Sequence, residues 1–177
     1  VKTGSGADKF EIKATKVTVD AGAGNDIVTI GAAITAGSTI NLGAGDDVLQ
    51  IGAGGSVAAN TTTATTTIDA GDGIDSLAAG LVNATNAKQF VNFERIDATA
   101  GTVTLDVDLM TGSTIGGVTL NGGSGTNTIQ NLAVGAGLTV AGANTGSLVI
   151  GVKGAATNTA DTFGITFAGK AGASATA

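Results

Sequence analysis

A short glycine-rich unit that returns along the chain constrains its fold more than any other feature. Gly4-Ser5-Gly6-Ala7-Asp8-Lys9-Phe10 recurs as Gly22-Ala23-Gly24-Asn25-Asp26-Ile27-Val28, as Gly43-Ala44-Gly45-Asp46-Asp47-Val48-Leu49 and as Gly71-Asp72-Gly73-Ile74-Asp75-Ser76-Leu77. A fifth copy, Gly122-Gly123-Ser124-Gly125-Thr126-Asn127-Thr128-Ile129, keeps glycines but has Asn where the others have Asp. Four copies in one register are not chance, and repeat units of this size bury an apolar face only by stacking on one another. Glycine tolerates positive φ, so each unit can make a tight, open turn with bare backbone carbonyls. Two residues after the Asp stands an apolar residue, Phe10, Val28, Leu49, Leu77 or Ile129, and Ile12, Ile30 and Ile51 follow two positions later. That period of two belongs to a strand with one buried face.

Spacing says more than presence. The aspartates at 8, 26, 47 and 75 are separated by 18, 21 and 28 residues. In an unbroken nonapeptide array an Asp would come every nine residues and alternate between the two edges of a roll. Here the intervening half-turns have none, so the carboxylates are expected along one edge. The other edge is then formed by residues 13–16, 32–38 and 52–67, where the steps above 18 measure insertions of 3 and 10 residues. Residues 53–67, with their threonine run, are expected to bulge, although the end of that run also suits a returning strand.

Composition narrows the chemistry. The 177 residues include no His, Cys, Pro, Trp or Tyr, which excludes Ser-His-Asp and Cys-His catalysis and an ordinary zinc site. With 14 acidic against 8 basic residues the net charge is -6, which opposes binding to nucleic acid. No apolar run approaches the roughly 18 residues of a membrane span. Since 42% of residues are hydrophobic but only 3% aromatic, the core must come from Val, Ile, Leu and Ala. The remaining ligand atoms are oxygens, and Ca2+, which takes about 6 to 8 of them flexibly, suits them better than a transition metal or Mg2+.

The candidate ligands are Asp8, Asp26, Asp47 and Asp75 with the loop glycines Gly4, Gly6, Gly22, Gly24, Gly43, Gly45, Gly71 and Gly73. One ion between successive loops gives about three sites. Asp20, Asn41, Asp69 and Asn121 stand six residues before the ligand position, and Asn25, Asp46 and Asp72 lie inside loops; these are secondary candidates or turn caps. Asn127 would make a weaker site, because a neutral carbonyl lacks the Coulomb attraction, and Asp161 matches only the Asp-x-apolar tail. Thr3, Ala21, Leu42 and Ala70 replace the first glycine of the nonapeptide, and only Gly122-Gly123 keeps the pair. Without the four ligand aspartates the net charge of -6 falls to -2, so the acidity is local to the loops.

Beyond Ala79 the pattern changes. Residues 82–93 have the most helix-compatible composition, and a short helix or lid is expected there. Strand-like pieces follow at 95–99, 102–105, 113–120, 128–132, 137–140, 147–152 and 163–167, at intervals suiting a continued solenoid or a small sandwich. Asp106 and Asp108 alternate with Leu105 and Val107 as the polar face of a strand. Paired carboxylates could also serve a glycosidase, but repeated Asp in Gly loops is a metal pattern and no aromatic sugar platform is present.

The Gly-x-Gly-x-Asp-x-apolar units resemble the calcium-binding repeats of the RTX family. The order of features resembles the lattice-forming region of calcium-dependent surface-layer (S-layer) proteins of Gram-negative bacteria: the Asp loops, Gly52-Ala53-Gly54-Gly55-Ser56-Val57, a Phe93-Glu94 segment, the Gly-Leu-Thr-Val at 137–140 and Thr159-Ala160-Asp161-Thr162-Phe163. The resemblance implies an all-β, right-handed parallel β-roll or β-solenoid with calcium-binding turns over residues 1–79, continuing as a β-rich segment over 80–177. It implies a non-enzymatic, exported cell-surface component that folds and self-assembles with Ca2+. Its partners would be copies of itself, and a cell-surface glycan or lipopolysaccharide reached through a segment outside this chain. The start at Val1, without Met or a signal pattern, is that of a fragment or processed form. The alternatives are the calcium-binding module of a secreted adhesin or exoenzyme, although no Gly-x-Ser-x-Gly element is present. In the plainer reading Phe93 and Ile96 are core and Glu94 a cap.

Overall fold

A computed structural model describes residues 1–98, 102–121, 125–133, 135–141, 147–152 and 164–168. The chain coils through parallel strands, as a β-solenoid of about six turns. Its strands are β1 (Lys2–Ser5), β2 (Lys9–Ile12), β3 (Thr18–Ala23), β4 (Ile27–Ile30), β5 (Ala33–Ile34), β6 (Thr39–Ala44), β7 (Val48–Ile51), β8 (Ser56–Val57), β9 (Thr67–Asp72) and β10 (Ser76–Ala78). They continue as β11 (Phe90–Val91), β12 (Arg95–Asp97), β13 (Thr104–Asp106), β14 (Gly117–Asn121), β15 (Thr126–Leu132), β16 (Gly137–Ala141), β17 (Ser147–Val152) and β18 (Gly164–Ala168). One five-stranded sheet runs β1-β3-β6-β9-β11, and an eight-stranded sheet runs β2-β4-β7-β10-β12-β14-β16-β18. Every pairing in both is parallel.

The period-two pattern explains the register. Phe10, Val28, Leu49, Leu77, Ile96, Val118 and Leu138 are successive partners along the large sheet. Val19, Ile40, Ile68 and Phe90 form the facing row. Val28, Leu49, Leu77, Ile96, Ile68 and Phe90 have no solvent exposure. A slip of one residue would turn every such side chain outward, so burial fixes the pairing. Ala21, Leu42 and Ala70, which replace the nonapeptide's first glycine, are also fully buried: this position faces the core.

Past Glu94 the coil changes partners. The five-stranded sheet stops at β11, and a three-stranded sheet β13-β15-β17 takes over opposite the continuing large sheet. Residues 82–93 do not form the expected helix. They contain a 3-10 turn at Ala87–Gln89 and the strand β11, because Asn83 and Asn86 tie the backbone into tight turns through their side chains. Asp106 likewise ends a strand, its carboxylate accepting from the Asp108 amide at 3.0 Å to open a 3-10 turn over Val107–Leu109. Among the described residues no helix is long and apolar enough to cross a membrane.

Close stacking sets the glycine requirement. Gly43 has φ +113°, and a Cβ there would overlap the carbonyl of Gly22 in the turn before; Gly4 has nearly the same φ, +115°, but open space around it. Gly43→Ala should therefore melt at least about 5 °C below Gly4→Ala, reflecting about 2 kcal/mol of backbone overlap in addition to the strain that both share. Thermal unfolding of the two variants checks this, and equal losses would show that φ alone demands glycine.

Candidate metal centre

Each repeat ends its glycine turn on an Asp, and coiling brings these residues into one row between the two main sheets. The row is tied from turn to turn through the carboxylates. The Asp8 amide donates to Asp26 Oδ1 at 2.8 Å, the Asp26 amide to Asp47 Oδ1 at 2.7 Å, and the Asp47 amide to Asp75 Oδ1 at 2.7 Å. Asp26 and Asp75 have no solvent exposure and Asp47 has 1%. The other oxygen, Oδ2, of Asp8, Asp26, Asp47 and Asp75 is buried and meets no hydrogen-bond donor. In Asp26, Asp47 and Asp75 one carboxylate oxygen is therefore satisfied and the other is orphaned, where burial of an unpaired charge is most costly.

The opposite edge performs the same backbone task without charge. There the Val17 amide donates to Ser38 Oγ and the Ser38 amide to Thr66 Oγ1, each at 3.2 Å, and both hydroxyls donate to the Thr35 carbonyl. Ser38 and Thr66 are as buried as the aspartates. A neutral acceptor is therefore sufficient to stitch this coil. The carboxylate row adds a cost that the hydroxyls avoid, since adjacent strands lie about 4.8 Å apart and like charges at that spacing repel by about 3 kcal/mol at an effective dielectric of 20.

Burial and neighbouring charge act on the same carboxyls. Burial raises the Asp47 carboxyl above its ordinary value, with the Asp26 and Asp46 charges adding to the rise and the hydrogen bond from the Asp26 backbone opposing it. Asp75 is pushed up to about 6, first by burial and further by the charges of Asp47, Glu94 and Asp46, against the lowering effect of the Asp47 amide.

Orphaned oxygens repeated along a row fit a hard cation. Among the described residues no three acidic side chains converge as a metal cluster. A cation held there would thus need its remaining oxygens from the backbone or water, which Ca2+ accepts readily. The glycine columns line these turns. Positive φ holds at Gly4, Gly6, Gly22, Gly24, Gly43, Gly45, Gly71 and Gly73, and the carbonyls of Gly6 and Gly24 face the α-carbons of Gly24 and Gly45.

The secondary candidates separate from this row. Asp20, Asn41 and Asp69 pair in register on the outer face of the five-stranded sheet, where Lys2 Nζ meets Asp20 Oδ2 at 2.6 Å and Asn92 Nδ2 meets Asp69 Oδ1 at 2.8 Å. Asn25 and Asp46 make an exposed second row in the loops: the Asp46 amide donates to Asn25 Oδ1 and the Ile74 amide to Asp46 Oδ1. The Asp72 side chain is exposed, and its carbonyl accepts from the Gly45 amide. Asn127 is buried, but its unit leaves β14 of the large sheet and enters β15 of the three-stranded sheet, at the other edge; its Nδ2 donates to the Ala98 carbonyl at 3.2 Å. The structure therefore does not bring Asn127 to the Asp row. Asn121 lies in β14. Asp161, Gly122, Gly123 and Ser124 lie outside the described residues.

The repeat pattern passes over one member of the row. Arg95 is the register partner of Ser76, which places Glu94 beside Asp75, and the Asp75 amide donates to Glu94 Oε2 at 2.9 Å. Phe93 and Ile96 are fully buried, so in this segment the apolar residues are core and the Glu closes a turn. The signal was Glu94-x-Ile96, the Asp-x-apolar tail with one more methylene. Comparison with protein-family models, with curated proteins and with solved structures gives no match.

The raised Asp75 carboxyl sets a pH dependence of unusual sign. The folded state holds this proton more tightly than the unfolded chain, whose carboxyl titrates near 3.8. Its contribution to stability is full below that value and is lost as pH rises through about 6. In chelator, the melting temperature should therefore fall over this window, and Asp75→Asn should flatten that fall. Parallel profiles for the two proteins would remove Asp75 as its source.

Proposed function

We propose that this chain is a structural, non-catalytic module of a bacterial surface layer, whose folding and self-assembly are driven by extracellular Ca2+. The buried, orphaned Oδ2 row of Asp8, Asp26, Asp47 and Asp75 carries the reading. Asp8, Asp26, Asp47 and Asp75, with the carbonyls of their glycine turns, would hold about three ions along one edge. When bound, the cation supplies positive charge between neighbouring carboxylates; it takes no part in a reaction.

The mechanism is linkage. Where Ca2+ is scarce, repulsion along the row and the conformational freedom of the Gly-rich turns favour the unfolded chain. Outside the cell, each ion at 100 times its Kd adds about 2.7 kcal/mol to folding, so a few sites of modest affinity decide the equilibrium. The surface-layer role rests on the resemblance of the whole feature order to such proteins. An open stack of parallel turns gives that role an extended, regular body suited to tiling, with copies of the same chain as neighbours.

Circular dichroism in EGTA is expected to show a loss of β-structure that added Ca2+ reverses, and full β-content in chelator would overturn the calcium dependence. Electron microscopy with Ca2+ then tests the assembly: ordered two-dimensional sheets are expected. Soluble monomers that bind cells or sugars would point instead to the calcium module of a secreted adhesin.

A further inference from the structure

The carboxylate row does not end with the last Gly-x-Gly-x-Asp unit. Six residues separate Asp69 from Asp75, whereas only three separate Val91, the register partner of Asp69, from Glu94. The turn has lost its glycine loop, and Asn92, at φ 60°, supplies the remaining left-handed position. The backbone ladder nevertheless continues, the Arg95 amide donating to the Asp75 carbonyl as the Ser76 amide does to that of Asp47, and Glu94 Oε2 accepts the Asp75 amide at 2.9 Å as each Asp does in the turns before. Asp75 itself is fully buried with Oδ2 orphaned. In the following turn the Gly116 and Gly117 amides donate to the Glu94 backbone carbonyl, and no carboxylate comes next. Glu94 is therefore the terminal acidic member of the row.

We infer that Asp75 and Glu94 form a further Ca2+ site, the last of four, and that it is weaker than those between the Asp loops. The inference rests on the calcium reading above. A turn without the Gly-x-Gly backbone offers fewer carbonyl oxygens, so water must complete the coordination, and affinity falls with ligand number and rigidity. A Kd higher than that of the other sites by about tenfold or more follows. The site lies where the five-stranded sheet gives way to the three-stranded one, so its filling links cation level to the packing of later turns on the Asp-bearing ones.

Native mass spectrometry of the folded chain in buffered Ca2+ tests the site by counting ions. Four are expected for the unaltered chain, the last filling separately, and three for Glu94→Gln, which keeps the hydrogen-bond acceptor but loses the charge. Glu94→Asp keeps the charge but not the reach, and should also hold three. An equal count in the unaltered chain and both variants overturns the fourth site and leaves the calcium reading intact, whereas no bound Ca2+ in the folded, unaltered chain overturns both. Should the variants fail to fold, the Glu94 carboxyl carbon of the unaltered chain can be followed by NMR. It is expected to shift with the last equivalent of Ca2+, and a resonance that stays fixed throughout the titration overturns the site.

Discussion

The hydrogen bond from an aspartate amide to the carboxylate one turn further on is the contact on which the Asp-bearing half of the structure depends. It is charge-assisted and short, 2.7 to 2.8 Å at three successive steps, and it fixes both the height and the rotation of each turn on the next. The strands on either side then meet in register, and the apolar rows close between them. The same contact creates a difficulty, because a carboxylate that stitches the backbone with one oxygen leaves a charged partner oxygen inside the coil. The hydroxyl ladder of Ser38 and Thr66 shows that the stitching alone did not require a charge. The two edges thus hold their turns alike, and only the aspartate edge leaves a buried charged oxygen that, on the calcium reading proposed above, would attract a cation.

The thinness of the core explains why such edge contacts matter. Between two facing sheets there is room for short aliphatic rows and little else, and among the largest fully buried side chains Phe90 and Phe93 are the aromatic ones. Their rings meet edge to face at 6.3 Å, at the point where the five-stranded sheet ends. In a stack where each turn touches mainly its neighbours, stability is close to a sum of turn and interface contributions. A repulsion at every rung therefore accumulates along the row.

Much of this was legible in the residues. The fourfold Gly-x-Gly-x-Asp unit with its period-two tail implied a parallel coil with all four aspartates on one edge, and the plain turns fell on the other. Local chemistry beyond the motif was harder to read. Residues 82–93 look helical by composition, but Asn83 and Asn86 bond to nearby backbone and win over weak propensity. Asn127 carries the right loop signature, yet which edge a loop occupies depends on the strand it leaves, and β14 belongs to the large sheet. Asp20, Asn41 and Asp69 keep a constant distance from the ligand position, but strand parity turns them to the outer face. Glu94 was hidden because its shorter turn has no Gly-x-Gly pair and its acid is Glu in place of Asp.

Beyond Glu94 neutral side chains make several of the buried polar links, while Asn127 Oδ1 is buried and meets no donor. Ser113 Oγ accepts the Phe93 amide and donates to the Phe90 carbonyl, and Asn131 Nδ2 reaches Asp106 Oδ1 at 2.8 Å. The acidic row and the neutral turns nevertheless share one sheet, whose parallel ladder passes from β10 to β12 and β14 without interruption. In a nearest-neighbour stack the edge of an ordered turn is the template for the next. On the calcium reading proposed above, a cation-dependent first segment would govern when that template exists, even for turns that hold no cation. Four of the chain's acidic residues stand in that one row, and the shared sheet joins the turns that carry them to the rest.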